Sequence, residues 1–427
     1  MAATLPARTT LPLDGVPVDR ISSALDDPEW VRALRRTWWD RYAATPFPTG
    51  KEEEWRRASL KEAPFGAQLL LDAPRPALGL LAAANGTPPP PDLAEAGVIF
   101  TDLRTAVREH GELVREYLGT ADALPSHAKF WALAQAAWSG GVFLYVPAGV
   151  SVDGALLART HLPLAGVAHL PQTIVVAGPN SSVTLVEDST SADGDAPGWT
   201  AGALDIRAGA GSRVRYVALQ RLADTAWNLG FQRADVAANA DVTLLNVEVG
   251  SHLTKLGGHV RMLGDGGTSR LLGLIAAGAQ QVIDVNSYQD LAASHTTSEL
   301  LYLSALYERA RASFYGIIRV RPGTRQTASY QECRNLLLSP NAGAEPIPVL
   351  EIESNDILRC GHGATAGAID PTQLFYAQSR GLDPDTATQL IVRGFFEQVL
   401  AKLHETSVKE LMLAALAPRI GTERLAA

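Results

Sequence analysis

Four stretches decide the fold: GPNSSVTLV (178–186), GAGSRVRYV (209–217), ANADVTLLN (238–246) and GGTSRLLGL (266–274). Each starts in small turn residues, passes a polar residue and ends in alternating apolar positions, the period-two mark of a strand. The anchors Val183, Val214, Val242 and Leu271 recur about every 28 to 31 residues. A repeat of that length, built of strands with no helix between them, fits a β-solenoid, where each unit buries its apolar face against the next. Regularly spaced strands also suit a β-sandwich, and periodicity alone leaves both open.

Helical patterns bracket this region. Asp27 is placed to cap a helix that starts at Pro28, with Trp30, Leu34, Trp38 and Tyr42 forming an apolar stripe before Pro46 and Pro48 end it. A second helical stretch spans 102–118, and TPPPPD (87–92) reads as a stiff connector. Downstream, Asp383 and Pro384 predict a capped helix start, followed by the stripe Leu390, Ile391, Phe395 and Val399. Ser407 and Glu410 suit a capping box for a last helix that carries Val408, Leu411, Met412 and Leu416.

Composition narrows the function classes. With 46% hydrophobic and 19% charged residues, the chain has a globular profile and enough length for a large core. A net charge of −8 argues against nucleic acid as a partner. No apolar run reaches the length of a membrane span, and MAATLPARTTLPLDG has no apolar leader segment. Two cysteines, Cys333 and Cys360, make no disulfide framework, so a reducing cytoplasm is the expected location.

The chemistry concentrates in LEIESNDILRCGHGATAGAIDPTQLFYAQSRG (350–381). If Glu351 to Cys360 is a strand, Cys360 and His362 project to one face, a thiolate and an imidazole suited to iron, zinc or a shared cluster. Gly361, Gly363 and Gly367 are read as letting the chain turn tightly around the pair. With no C-x-x-C anywhere, two donors leave coordination positions for another subunit to fill. Cys333 reads as core. His252, His259 and His295 read as turn or structural histidines, His110 and His127 as surface or satisfied ones, and Asp284 and Asn286 as a polar ladder. The chain lacks a Walker A motif, since Gly50-Lys51 is followed by Glu52, and it has neither G-x-S-x-G nor H-E-x-x-H.

This C-terminal stretch closely resembles the shared motif of the SufB/SufD family, subunits of the SUF iron–sulfur cluster assembly scaffold. The likeness extends through TASYQECRNLLLSPNAGAEPIPVLEI (327–352), residues 295–318 and FLYVPAGVSV from Phe143. PFPTGKEEEWRRASL (46–60) and the chain length resemble the SufD-type branch. Gly361 stands where the family often has Ser, and Cys333 where no Cys is expected. The resemblance implies a mainly β fold, with a right-handed parallel β-helix core at 136–368, an N-terminal helical domain at 1–135 and a C-terminal helical domain at 369–427. It implies a non-enzymatic scaffold that pairs with the paralogue SufB and docks the ABC-type ATPase SufC through the C-terminal helices. It further implies that His362, and with it Cys360, serves as a ligand for a transient iron–sulfur cluster shared with SufB. The resemblance further assigns ATP hydrolysis to SufC, leaves participation of a flavin open, and leaves a homodimer open to the isolated subunit. Two alternatives stand beside it, a purely architectural partner without metal ligands and a β-helical enzyme acting on polysaccharide.

Overall fold

The computed structural model describes residues 10–11, 18–81, 91–122, 124–192 and 196–420. The opening MAATLPART and residues 87–90 of the proline tract lie outside them; Pro91–Glu95 is a short helix.

The strand repeat builds a parallel β-solenoid, and the sandwich alternative falls. The chain alternates between two sheets, and each strand pairs in parallel with the strand one coil earlier and one coil later. One sheet contains Trp199–Ala208, Trp227–Val236, Leu253–Met262, Val282–Leu291, Arg311–Val320 and Gly343–Ile352 in that order. The other contains Ser182–Ser191, Arg213–Arg221, Asp241–Glu248, Thr268–Ala277, Thr297–Leu306, Arg325–Leu337 and Asp356–Gly367. Val183, Val214 and Val242 stack in register as their spacing predicts. The fourth member of that column is Ser269, however, and Leu271 lies against Leu244.

Five successive coils place a residue with positive φ at one corner: Asn180, Gly211, Asn239, Gly266 and His295, at 58, 68, 56, 73 and 57°. Glycine and asparagine tolerate this region best. A Cβ on Gly211 or Gly266 would fall 2.3 Å from the Oδ1 of Asn180 or Asn239, one coil earlier. Each asparagine carboxamide thus fills the space that the next glycine leaves.

Valine, leucine and isoleucine from both sheets fill the lumen, among them Val214, Leu244, Ile283, Val285, Leu306 and Ile318. Each sheet also has an apolar outer face. One is covered by Trp55, Phe130 and Trp131 of the N-terminal region, packed on Trp199 and Phe231. The other is covered by the helices Pro384–Leu400 and Thr406–Ile420.

These helices depart from the expected stripes. Asp27 does not cap the helix Glu29–Ala44, since Pro28 is the cap residue and no side chain caps it. Asp27 instead pairs at 2.7 Å with the fully buried Arg35, whose guanidinium also donates to the carbonyls of Ala136 and Trp138. Asp383 does cap its helix, accepting from the backbone of Asp385 and Thr386. The buried stripe there is Ala387, Val392, Phe396 and Val399, and Leu390 points to solvent. The slip arises because the solenoid face, not the helix's most hydrophobic side, sets which residues are covered.

Polar groups interrupt the lumen. Glu248 accepts from Gln220 Nε2 at 3.0 Å and from Thr254 Oγ1 at 3.5 Å, and burial pushes its carboxyl up to about 7. Its folded-state value lies above the ordinary 4.5, so the burial penalty is absent below pH 4.5 and develops as the pH rises through 7. Glu248→Gln is therefore expected to match wild type near pH 4 and to be more stable by about 3 kcal/mol near pH 8, by denaturant unfolding. At the corner, Gly266→Ala is expected to cost about 1–3 kcal/mol in the same measurement, and Asn239→Gly about 1 kcal/mol or less.

Candidate metal centre

After Gly343–Ile352 the chain turns at 353–355, where Glu353 N donates to Val320 O and Ser354 Oγ to Thr324 O. The expected strand from Glu351 to Cys360 is thus two strands in different sheets, and the second, Asp356–Gly367, carries the whole Cys-x-His motif. Among the described residues it pairs only with Arg325–Leu337 and forms the edge of its sheet.

Register places Cys360 against Ser329 and His362 against Gln331. Both partners are buried and turn toward the lumen. Cys360 and His362 therefore share the lumen-side face of the last strand, as period two predicts. Cys360 is half-buried against the lumen core, and its Sγ receives the Ser329 hydroxyl at 3.3 Å. The column beneath it is hydroxylic: Ser298 stacks under Ser329 and contacts Ser269 at 2.8 Å. His362 is exposed, because among the described residues no further coil covers it.

The glycines around the pair do not make a turn. Gly361 and Gly363 lie within the strand, where the ring of Tyr330 crosses them from the previous coil. A Cβ would meet that ring at 3.4 Å from Gly361 and its hydroxyl at 3.1 Å from Gly363. The guanidinium of Arg359 covers the same ring at 4.2 Å. Small residues at 361 and 363 therefore make room for Tyr330, and Gly367 has open space around it.

The neighbouring edge is chemically different. Gly343 N bonds to Ala310 O and Glu353 N to Val320 O, so odd-numbered residues of Gly343–Ile352 direct their N–H groups at the preceding strand. Even-numbered residues direct theirs at the free edge, and two of those are Pro346 and Pro348, which have none. This edge is blunted, whereas Asp356–Gly367 contains no proline. Leu358, 70% exposed, and Ile352, 44% exposed, lie in these end strands.

Cys333 belongs to the core, as read from the sequence. It pairs with Ala364, is buried, and burial pushes its thiol up to about 12. Among the described residues no three His, Cys, Asp or Glu side chains converge on a metal position. A tetrahedral iron or zinc centre takes four donors, of which Cys360 and His362 could supply two.

The other histidines lie apart from this end. His252 packs on Trp227, and His259 sits 3.9 Å from Asp290. His127 is buried, with Nε2 3.4 Å from Asn286 Oδ1; burial and the nearby Lys255 push it down to about 3. Asp284 and Asn286 do form a polar ladder, on an outer face: both accept from the buried Lys255, and Ser313 donates to Asp284. Sequence reading missed Lys255 as the centre of this cluster. Its offset of 29 residues from Asp284, one coil, was the available signal.

Residues 162–395 match the family model described as "SUF system FeS cluster assembly, SufBD core domain". The chain is 31% identical over 313 residues to an iron–sulfur cluster assembly SufBD family protein of Staphylococcus epidermidis, covering 73% of this chain and 67% of that one. Proteins of the same description from Staphylococcus haemolyticus, 31% identical, and Staphylococcus aureus, 30% identical, match with the same coverage.

The two thiols should separate chemically. Iodoacetamide on the native chain is expected to label Cys360 and spare Cys333, with the second label appearing only in denaturant, by mass spectrometry. A native label on Cys333 would mean that the last coils open.

Proposed function

The chain belongs to the SufBD family of iron–sulfur cluster assembly proteins, and from that premise we propose that it is a SufD-type scaffold subunit working in the cytoplasm. On this reading the solenoid core, 136–368, pairs at its C-terminal end with a SufB-type paralogue. Described residues of the segment 1–135, such as Trp55 and Phe130, cover one outer face, and on this reading 369–427 receives a SufC-type ATPase. The observation that carries the proposal is the terminal strand. It has an unpaired edge without proline, an exposed Leu358 and two metal-type donors, Cys360 and His362, on one face.

The nascent cluster is cargo, and the remaining donors come from the partner. Cys360 presents its sulfur beside a hydroxyl donor, and His362 presents an accessible imidazole. Docking of the ATPase is supported by the helix Pro371–Ser379, which buries none of its residues and exposes Phe375 at 71% and Tyr376 at 61%. ATP hydrolysis belongs to that partner, and this chain acts as scaffold. The competing reading is an architectural subunit whose end strand pairs without ligating.

Co-expression with SufB-type and SufC-type partners, followed by anaerobic purification and iron and sulfide analysis, tests the proposal. His362→Ala is expected to leave the complex assembled while removing most of its iron and sulfide. Full cluster content in the variant would assign the chain the architectural role alone, and failure of the wild-type subunits to co-purify would overturn the pairing.

A further inference from the structure

The turns that lead from one sheet back to the other stack at a corner of the solenoid, and the last three are 278–281, 307–310 and 338–342. The third is longer than the others by one residue and contains Pro340. Here the corner opens into a surface pocket of about 550 Å³. Gln280, Arg309, Arg311 and Asn341 line it, beside Pro340 and Ala342. That volume lies in the range of pockets that receive small organic molecules, about 300–1,000 Å³.

The backbone ladder brings the two arginines together. Arg309 N donates to Ala279 O at 3.0 Å and Arg311 N to Gln281 O at 2.9 Å, so the two residues follow the previous coil in the same phase. They stand two positions apart, at most ~7 Å along the chain. Arg311 lies between Val282 and Gly343 in the ladder. A Cβ on Gly343 would fall 2.5 Å from Arg311 Nη1. The missing side chain at 343 thus lets the guanidinium lie across the next coil, beside the turn that ends in Asn341 and Ala342.

A second observation concerns charge. Four arginines of the same coils are engaged by carboxylates: Arg270 by Asp241, Arg319 by Glu353, Arg321 by Asp290 and Arg334 by Glu332. Arg309 and Arg311 form no ion pair and no side-chain hydrogen bond among the described residues. No Asp or Glu lines the pocket, and Glu308, next in sequence, directs its carboxylate to the Ala279 N–H. Two close cations without a counter-charge repel each other, and an anion between them relieves that repulsion. One guanidinium fork already serves both oxygens of a carboxylate. Two forks and two carboxamides offer more donors than that, and they match a phosphate group, with three oxygens and up to two charges.

We propose that this corner binds a small phosphate ester. Arg309 and Arg311 hold the phosphate oxygens, the carboxamides of Gln280 and Asn341 meet the polar body of the ester, and Pro340 and Ala342 give it a short apolar wall. Every one of these residues belongs to this chain, so the site depends neither on a SufB-type partner nor on cluster assembly.

The test is calorimetry on the full chain without partner subunits, with glycerol phosphate and inorganic phosphate as probes. Acetate at matched ionic strength serves as the carboxylate control and an oligoglutamate peptide as the acidic protein segment. Glycerol phosphate is expected to bind saturably at one site per chain. Arg309→Gln and Arg311→Gln, both at exposed positions, are each expected to weaken that binding tenfold or more while the circular dichroism stays native. Arg213→Gln, at an exposed position of another coil outside the pocket, is expected to leave it unchanged. No saturable binding of glycerol phosphate, equal binding of acetate, or an equal loss in Arg213→Gln would each overturn the assignment. Binding confined to inorganic phosphate would overturn the ester, and binding of the oligoglutamate peptide alone would give the pocket to a protein partner instead.

Discussion

A parallel backbone ladder satisfies each coil only through the next one, and the rest of this structure follows from where the ladder has to stop. At the N-terminal end the sheets are closed by antiparallel strands, Ala77–Leu80 on Ser151–Leu162 and Ile99–Asp102 on Gly140–Val146. Reversed direction ends the coil, since a strand running the other way cannot begin another turn of the same helix. The C-terminal end has no such closure among the described residues. One of its edges lacks two donors because of Pro346 and Pro348, and the other is free of proline. The two edges of one end are therefore unequal templates for a further strand.

Covering the outer faces raises a second problem, because apolar packing is non-directional and does not fix how a segment lies on a sheet. Buried ions supply direction. Lys255 projects from an outer face, pairs with Asp284 at 2.7 Å and donates to the carbonyl of Glu54, with the ring of Trp55 at 4.9 Å. Removing one member of such a pair strands the other charge, typically at a cost of about 3–5 kcal/mol. Arg35 works alike inside the N-terminal region, joining Asp27 to the carbonyls that end the helix Ala128–Ala137. The Lys255 cluster fixes how the N-terminal region lies on the sheet, and the Arg35 cluster fixes the helices of that region against each other.

The coil repeat was legible because its determinants are local. Alternating apolar residues and Asn or Gly corners recur at nearly constant spacing, and Val183, Val214 and Val242 do stack. Legibility failed where a partner one coil away decides the role of a residue. Gly361 and Gly363 resemble turn glycines in isolation, and only the Tyr330 ring across them gives their reason. Leu390 belongs to a plausible stripe, but it is Val392 and Phe396 that pack against the apolar outer face of the sheet. Asp27 has the chemistry of a cap, but a buried arginine eight residues along claims it. At the candidate centre the shared face of Cys360 and His362 was readable from period two, whereas the edge position of their strand was not, since nothing local marks the last coil.

That edge position joins two properties usually carried by separate elements. In Asp356–Gly367 the backbone groups open to a new strand and the side chains of Cys360 and His362 lie on the same ~7 Å of chain, by the rise of a strand residue. A partner strand hydrogen-bonded there would run about 4.8 Å away, close enough for its own lumen-side residues to stand beside the thiol and the imidazole. On the proposed reading, pairing and ligation are thus one event at the backbone level. Whatever shifts the register of the paired strands shifts the donor set too, because a slip of one residue turns every lumen-side group to the opposite face. A scaffold built this way can hold or release its cargo by moving strands past each other, without unfolding either solenoid.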